Sequence, residues 1–157
     1  METSIRVEQL CKSYQGTTVV KNISFQVNKG EIFAFLGPNG AGKSTTISIL
    51  STLLKKDSGT VIINGFRLGQ EDERIRSGIG IVFQNSVLDE LLSVKQNLIL
   101  RSALYHLPYK QACRRVQKLC DICDLHDIMH QPVGTLSGGQ RRRCDIARAL
   151  IPEPDIL

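Results

Sequence analysis

The segment Gly37-Pro38-Asn39-Gly40-Ala41-Gly42-Lys43-Ser44 constrains this chain more than any other. A glycine, four residues and then Gly-Lys-Ser is the spacing of a loop that wraps a phosphate chain. Its flanks sharpen that reading. The loop follows Ile32-Phe33-Ala34-Phe35-Leu36, a continuous apolar run that predicts a strand buried on both faces of a parallel sheet. It precedes Ser44 to Leu54, where Ile47, Leu50 and Leu54 recur at helical intervals. Between a strand and a helix, successive backbone N–H groups can point into one concavity, and the helix start adds partial positive charge. Glycines allow the backbone angles and the close approach that phosphates need. Lys43 would then place a point charge on the β and γ phosphates, and Ser44 a hydroxyl on Mg²⁺. The alternative is a glycine-rich turn with an incidental lysine, which these flanks disfavour. Binding of ATP or GTP is the implication.

Elsewhere the pattern alternates between strands and helices. Ile5 to Leu10, Thr17 to Val20 and Ile23 to Val27 read as strands broken by Gln15-Gly16 and Asn28-Lys29-Gly30. Thr60 to Ile63 and Ile79 to Phe83 are further strand candidates, with Asp57-Ser58-Gly59 closing the helix before them. Ser93 to Leu125 reads as helices broken at Leu107-Pro108; Gly134 opens a loop, and Gln140 to Leu150 is a helix stopped by Pro152 and Pro154. The order predicts one α/β domain over residues 1–157 with a helical subdomain at about 90–150.

Composition narrows the function classes. With 41% hydrophobic and 22% charged residues the chain is neither disordered nor fibrous. The net charge of +5 raises nucleic acid as a partner, but apart from Arg141, Arg142 and Arg143 the basic residues are scattered and no aromatics interleave with them, so none is expected. Five cysteines without a secretion signal fit a reducing, cytoplasmic compartment. Cys120 and Cys123 followed by His126 and His130 are spaced too tightly for a zinc finger, and the cysteines read as small apolar residues in or beside a helix. No apolar run approaches the roughly 20 residues of a membrane-spanning helix, so any membrane role must be borrowed from a partner.

A second glycine-rich segment, Leu136-Ser137-Gly138-Gly139-Gln140, also stands immediately before a helix. Ser137 can cap that helix and the glycines expose N–H groups, but no lysine or metal-binding hydroxyl accompanies them. That makes half of an anion site. With the following Arg141 to Leu150 it resembles the signature motif and helix of ABC ATPases, and Gly37 to Thr45 resembles the Walker A of the same family. The resemblance covers the whole chain.

It implies a P-loop NTPase core of the ABC ATPase type, with an N-terminal antiparallel β subdomain and a helical subdomain. ATP would be held by Gly37, Pro38, Asn39, Gly40, Ala41, Gly42, Lys43, Ser44 and Thr45, with Tyr14 at the position of the aromatic that stacks on adenine. Gln84 matches the glutamine that contacts Mg²⁺ and the attacking water, so Lys43 and Gln84 are the catalytic candidates and Ser44 and Gln84 the Mg²⁺ ligands. Leu136, Ser137, Gly138, Gly139 and Gln140 would face the ATP of a partner subunit in a homodimer or heterodimer of such domains. Val82 to Leu98 looks like the daunorubicin or multidrug exporter branch. That branch implies a separate transmembrane permease and a peripheral place on the inner face of the membrane.

Soluble ABC ATPases without a membrane partner are the alternative, as is a binding-only module. The last of these arises because the family's Walker B Asp-Glu and switch histidine lie beyond Leu157, and His106, His126 and His130 all precede the signature. Asp145 and Glu153, the nearest carboxylates, are poor substitutes, so the chain alone is expected to be inactive. Ile32 to Leu36 is expected to lack a strand neighbour and to present an apolar edge.

Overall fold

The computed structural model describes residues 2–157 and divides into two compact units, one through Ile79 and one from Gly80 to Leu157. In the first, β1 (Thr3–Tyr14) and β2 (Thr17–Asn28) form a hairpin whose turn residues, Gln15 and Gly16, both have positive φ (47° and 81°). That is the turn whose twist suits a two-residue hairpin. β3 (Ser58–Ile63) and β4 (Phe66–Arg67) complete an antiparallel sheet in the order β2-β1-β3-β4. The two runs read separately in residues 17–27 are one strand, carried past an irregularity in register where Gln9 and Asn22 both take left-handed φ (51°). Val7, Leu10, Val20, Val61 and Ile63 are buried from the sheet, and Ile49 from α1 (Lys43–Leu50).

α1 ends at Leu50, four residues before the expected Leu54. Its last carbonyls are closed in a Schellman arrangement: Leu53 N–H donates to the Ser48 carbonyl (2.9 Å) and Thr52 N–H to that of Ile49 (3.0 Å), with Thr52 left-handed at φ 62°. Asp57-Ser58-Gly59 therefore opens β3 rather than closing a helix. A short helix, α2 (Asp72–Ser77), follows β4.

Ile32 to Leu36 forms no strand, against expectation. A strand needs a ladder partner, and among the described residues none pairs with this run. Ile32 and Leu36 are almost wholly exposed, and Phe33 and Phe35 gather with Phe25 at centroid distances of 5.1 Å.

The second unit is helical. α3 (Val94–Ala103) starts with a reciprocal cap, in which Ser93 Oγ accepts from Gln96 N–H (3.2 Å) and Gln96 Oε1 from Ser93 N–H (2.8 Å). Pro108 stands at the N-cap of α4 (Tyr109–Cys123), where the sequence predicted a break. Ala112, Val116, Leu119, Cys120 and Cys123 are the buried face of α4, and the last four join Val94, Leu98, Leu125, Val133 and the α5 (Gly138–Ala149) residues Cys144 and Ala147 in one core. Cys120, Cys123 and Cys144 are thus core residues of helices. His126 instead pairs with Asp121 at 2.8 Å.

The expected strand from Ile79 to Phe83 is also absent. Side chains take two of its carbonyls: Arg148 donates to Ile81 and Arg142 Nη1 to Phe83 (2.6 Å), while Gly80 N–H donates to the Ile156 carbonyl (2.8 Å).

Candidate functional site

In the first unit the loop from Gly37 to Gly42 is built by glycine geometry. Gly37, Gly40 and Gly42 all have positive φ (154°, 84° and 83°). Gly42 is also the N-cap of α1, and a Cβ there would stand 2.7 Å from the Val19 carbonyl oxygen of β2. Only glycine fits. No side chain caps α1 and its first turn holds no acid. Thr46 N–H bonds back to the Gly42 carbonyl (2.8 Å), which leaves the N–H groups of Lys43, Ser44 and Thr45 without intrahelical partners. Lys43 folds over the loop, its Nζ donating to the carbonyls of Gly37 and Pro38, each at 2.7 Å. Three free N–H groups, a helix start, one ammonium and the exposed Ser44 hydroxyl are a donor set that fits a phosphate chain and its Mg²⁺.

Strand register carries Tyr14 to the same end of the sheet. Val20, whose side chain flanks Gly42, is paired with Lys12 across the hairpin, and Tyr14 is paired with Thr17. Three residue steps along the strand lead from Thr17 to Val20, about 10 Å at the usual rise. Tyr14 is 45% exposed, which leaves it accessible for stacking. Beside the loop Val20, Phe25, Phe33, Leu36, Ala41 and Thr46 line an apolar cavity of about 220 Å³.

In the second unit Ser137 is the N-cap of α5. Its Oγ accepts from Gln140 N–H (3.3 Å) and Gln140 Oε1 accepts from Ser137 N–H (2.9 Å). The capping box leaves Gly138 and Gly139 N–H unclaimed, and a Cβ on either glycine would meet nothing within 4 Å. Two N–H groups at an open helix start, with no side chain over them, fit an anion brought from outside. Leu136 is buried beneath the turn. Gln84 is exposed and shares with Asn85, Gly138, Arg141, Arg142 and Asp145 the lining of a cavity of about 430 Å³.

Both nearby carboxylates have partners. Asp145 is buried and accepts from Ser86 Oγ (3.0 Å), and Glu153 is paired with Arg115 (2.8 Å) and Lys118 (3.8 Å). Next to Asp145, burial pushes the Cys144 thiol up to about 11.

Two features escaped sequence reasoning. Val19 limits position 42 through its backbone, which carries no residue signal. Asp57 reaches Lys12 and Ser13 across 45 and 44 residues, a separation no local pattern reports.

Comparison with known proteins gives the family and the fold. A family model described as "ABC transporter" matches residues 20–157. The linearmycin resistance ATP-binding protein LnrL of Bacillus subtilis is 39% identical over 98% of this chain and 49% of its own length. The daunorubicin/doxorubicin resistance ATP-binding protein DrrA of Streptomyces peucetius is 38% identical over 98% of this chain and 47% of its own length. The chain thus spans about half the length of the curated relatives it matches. Among solved structures, cbiO1 of Clostridium perfringens, part of the ABC transporter complex cbiONQ, superposes with a TM-score of 0.88 at 31% identity, over 98% of this chain and 63% of that one.

Proposed function

The chain belongs to the ABC transporter family, and from that premise we propose that it is the ATP-binding, ATP-hydrolysing part of an exporter, powering transport through a separate membrane permease. The observation that carries the proposal is the start of α1: a position only glycine can occupy, uncapped N–H groups beyond it and Lys43 folded onto the loop. Among the described residues no helix is long and apolar enough to cross a membrane. The resistance roles in the relatives' names support export.

In this reading Lys43 exchanges two neutral carbonyl acceptors for phosphate oxygens, which bind an ammonium more strongly. The N–H groups of Lys43, Ser44 and Thr45 hold the phosphates at the helix start, and Tyr14 stacks on the adenine. By family resemblance Ser44 and Gln84 would hold Mg²⁺, which would supply positive charge to offset that of the phosphates. Ser137, Gly138 and Gly139 close on the phosphates of a second copy or a homologous subunit, since they lack a lysine of their own.

Titration of the full-length protein with ATP·Mg tests the reading. Lys43→Ala removes a charge-assisted contact of about 1.5–3 kcal/mol, so the affinity is expected to fall roughly tenfold or more. Equal affinity in the two proteins would rule the loop out as the phosphate site.

A further inference from the structure

Lys12 lies on β1 two residues before Tyr14, and its side chain is only 14% exposed. Its Nζ donates to Asp57 Oδ1 at 2.6 Å and lies 5.6 Å from the centroid of the Tyr14 ring. Asp57 is itself fixed: its Oδ2 accepts from Ser13 N–H at 2.7 Å, and its own N–H donates to the Cys11 carbonyl at 3.1 Å. Hydrogen bonds from Lys12 and then Ser13 hold the Asp57 carboxyl below the ordinary carboxylate range. The ammonium is therefore anchored at a set place over one face of an exposed tyrosine.

From this geometry we infer that Lys12, held by Asp57, is a positioning residue for the nucleotide base. It backs one face of Tyr14 so that the ring presents its other face to a purine. The inference rests on the nucleotide reading above and goes beyond it, because Lys12 stands outside both glycine-rich segments. A cation within about 6 Å of a ring is attracted by its face. Contact with Lys12 therefore restrains the ring before any ligand arrives and lowers the ordering cost that binding must meet. The Lys12 charge is already offset by Asp57, which weakens its pull on the phosphates. Its effect belongs to the base alone. A lysine that merely tied β1 to the turn before β3 would affect every ligand of this unit alike.

The experiment titrates the full-length protein with ATP·Mg and with inorganic tripolyphosphate·Mg, which engages the phosphate loop but has no base. Lys12→Met is expected to weaken ATP about two- to fivefold, the range of an exposed cation–ring contact, and to leave tripolyphosphate unchanged. Lys12→Arg keeps a cation over the ring and is expected to stay near the wild-type value. Asp57→Asn keeps an acceptor for Ser13 but releases the ammonium, and follows Lys12→Met in direction. In a Tyr14→Ala background Lys12→Met should have no further effect, because the ring it serves is gone.

Equal weakening of both ligands, an unchanged ATP affinity in Lys12→Met, or an effect that survives Tyr14→Ala would each overturn the inference. A wild-type protein that bound neither ligand would instead remove the nucleotide reading, and this inference with it.

Discussion

Gly40 and Gly42 offer a controlled test of how the phosphate loop is built. Their φ angles are nearly the same, 84° and 83°, so alanine at either position carries the same left-handed strain, about 1–2 kcal/mol. Their surroundings differ. A Cβ at Gly40 meets nothing within 4 Å, whereas at Gly42 it would lie 2.7 Å from the Val19 carbonyl oxygen and 3.2 Å from Val20 Cγ2. The obstacle is strand backbone in a hairpin that pairs Val20 with Lys12, so the loop moves more readily than the strand. Forcing extra volume into a packed place costs about 1–3 kcal/mol. Gly42→Ala should therefore cost about 2–5 kcal/mol against about 1–2 for Gly40→Ala. If the phosphates select the loop as it stands, these costs appear in the ATP affinity. One or two kcal/mol is a factor of about 5–30, so Gly40→Ala is expected to weaken ATP·Mg within that range and Gly42→Ala beyond it. Calorimetric titration of the full-length variants reads the difference, with circular dichroism to establish that both fold. Equal losses in the two variants would refute the reasoning, because strain alone would then account for everything.

Two other outcomes follow from the second unit. A side chain at Gly138 enters open space, so Gly138→Asp should fold and bind ATP as a monomer yet lose hydrolysis in the full-length protein, its carboxylate facing a partner's phosphates; unchanged turnover would exclude the paired site. The Cys144 thiol is raised from 9.0 to about 11 by burial first and the charge of Asp145 second, so above pH 9 the unfolded chain gives up a proton that the folded one keeps. Stability should fall as pH rises from about 9 to about 11, and Cys144→Ala should flatten that fall in urea melts, leaving the shares of Cys120 and Cys123, which burial raises too. An unchanged slope would show that Cys144 does not titrate with folding.

Features that depend on near neighbours in the chain were legible in advance. The α4 break at Pro108, the Ser137 cap and the hairpin at Gln15-Gly16 each follow from residues within a few positions of one another. The end of α1 was not, because Thr52 closes the helix in a conformation that β-branched residues seldom adopt. Both strand readings that failed, Ile32 to Leu36 and Ile79 to Phe83, rested on apolar composition. Composition describes which faces could be buried. A strand also needs a neighbour, and that is a property of the whole topology.

The candidate site divides along the same line. Glycine spacing picks out positions 37 to 44 because backbone freedom is encoded at the residue that uses it. What holds the loop in shape is a carbonyl on β2, and what holds Tyr14 is an ion pair that joins β1 to the turn before β3. Neither partner has an unusual residue type, so spacing alone could not mark them. The parts that touch phosphate are therefore readable from a motif, while the parts that decide how firmly the motif is held come only from strand pairing. This is why Gly42 with Val19, and Lys12 with Tyr14, are where substitutions separate a bound phosphate from a bound base.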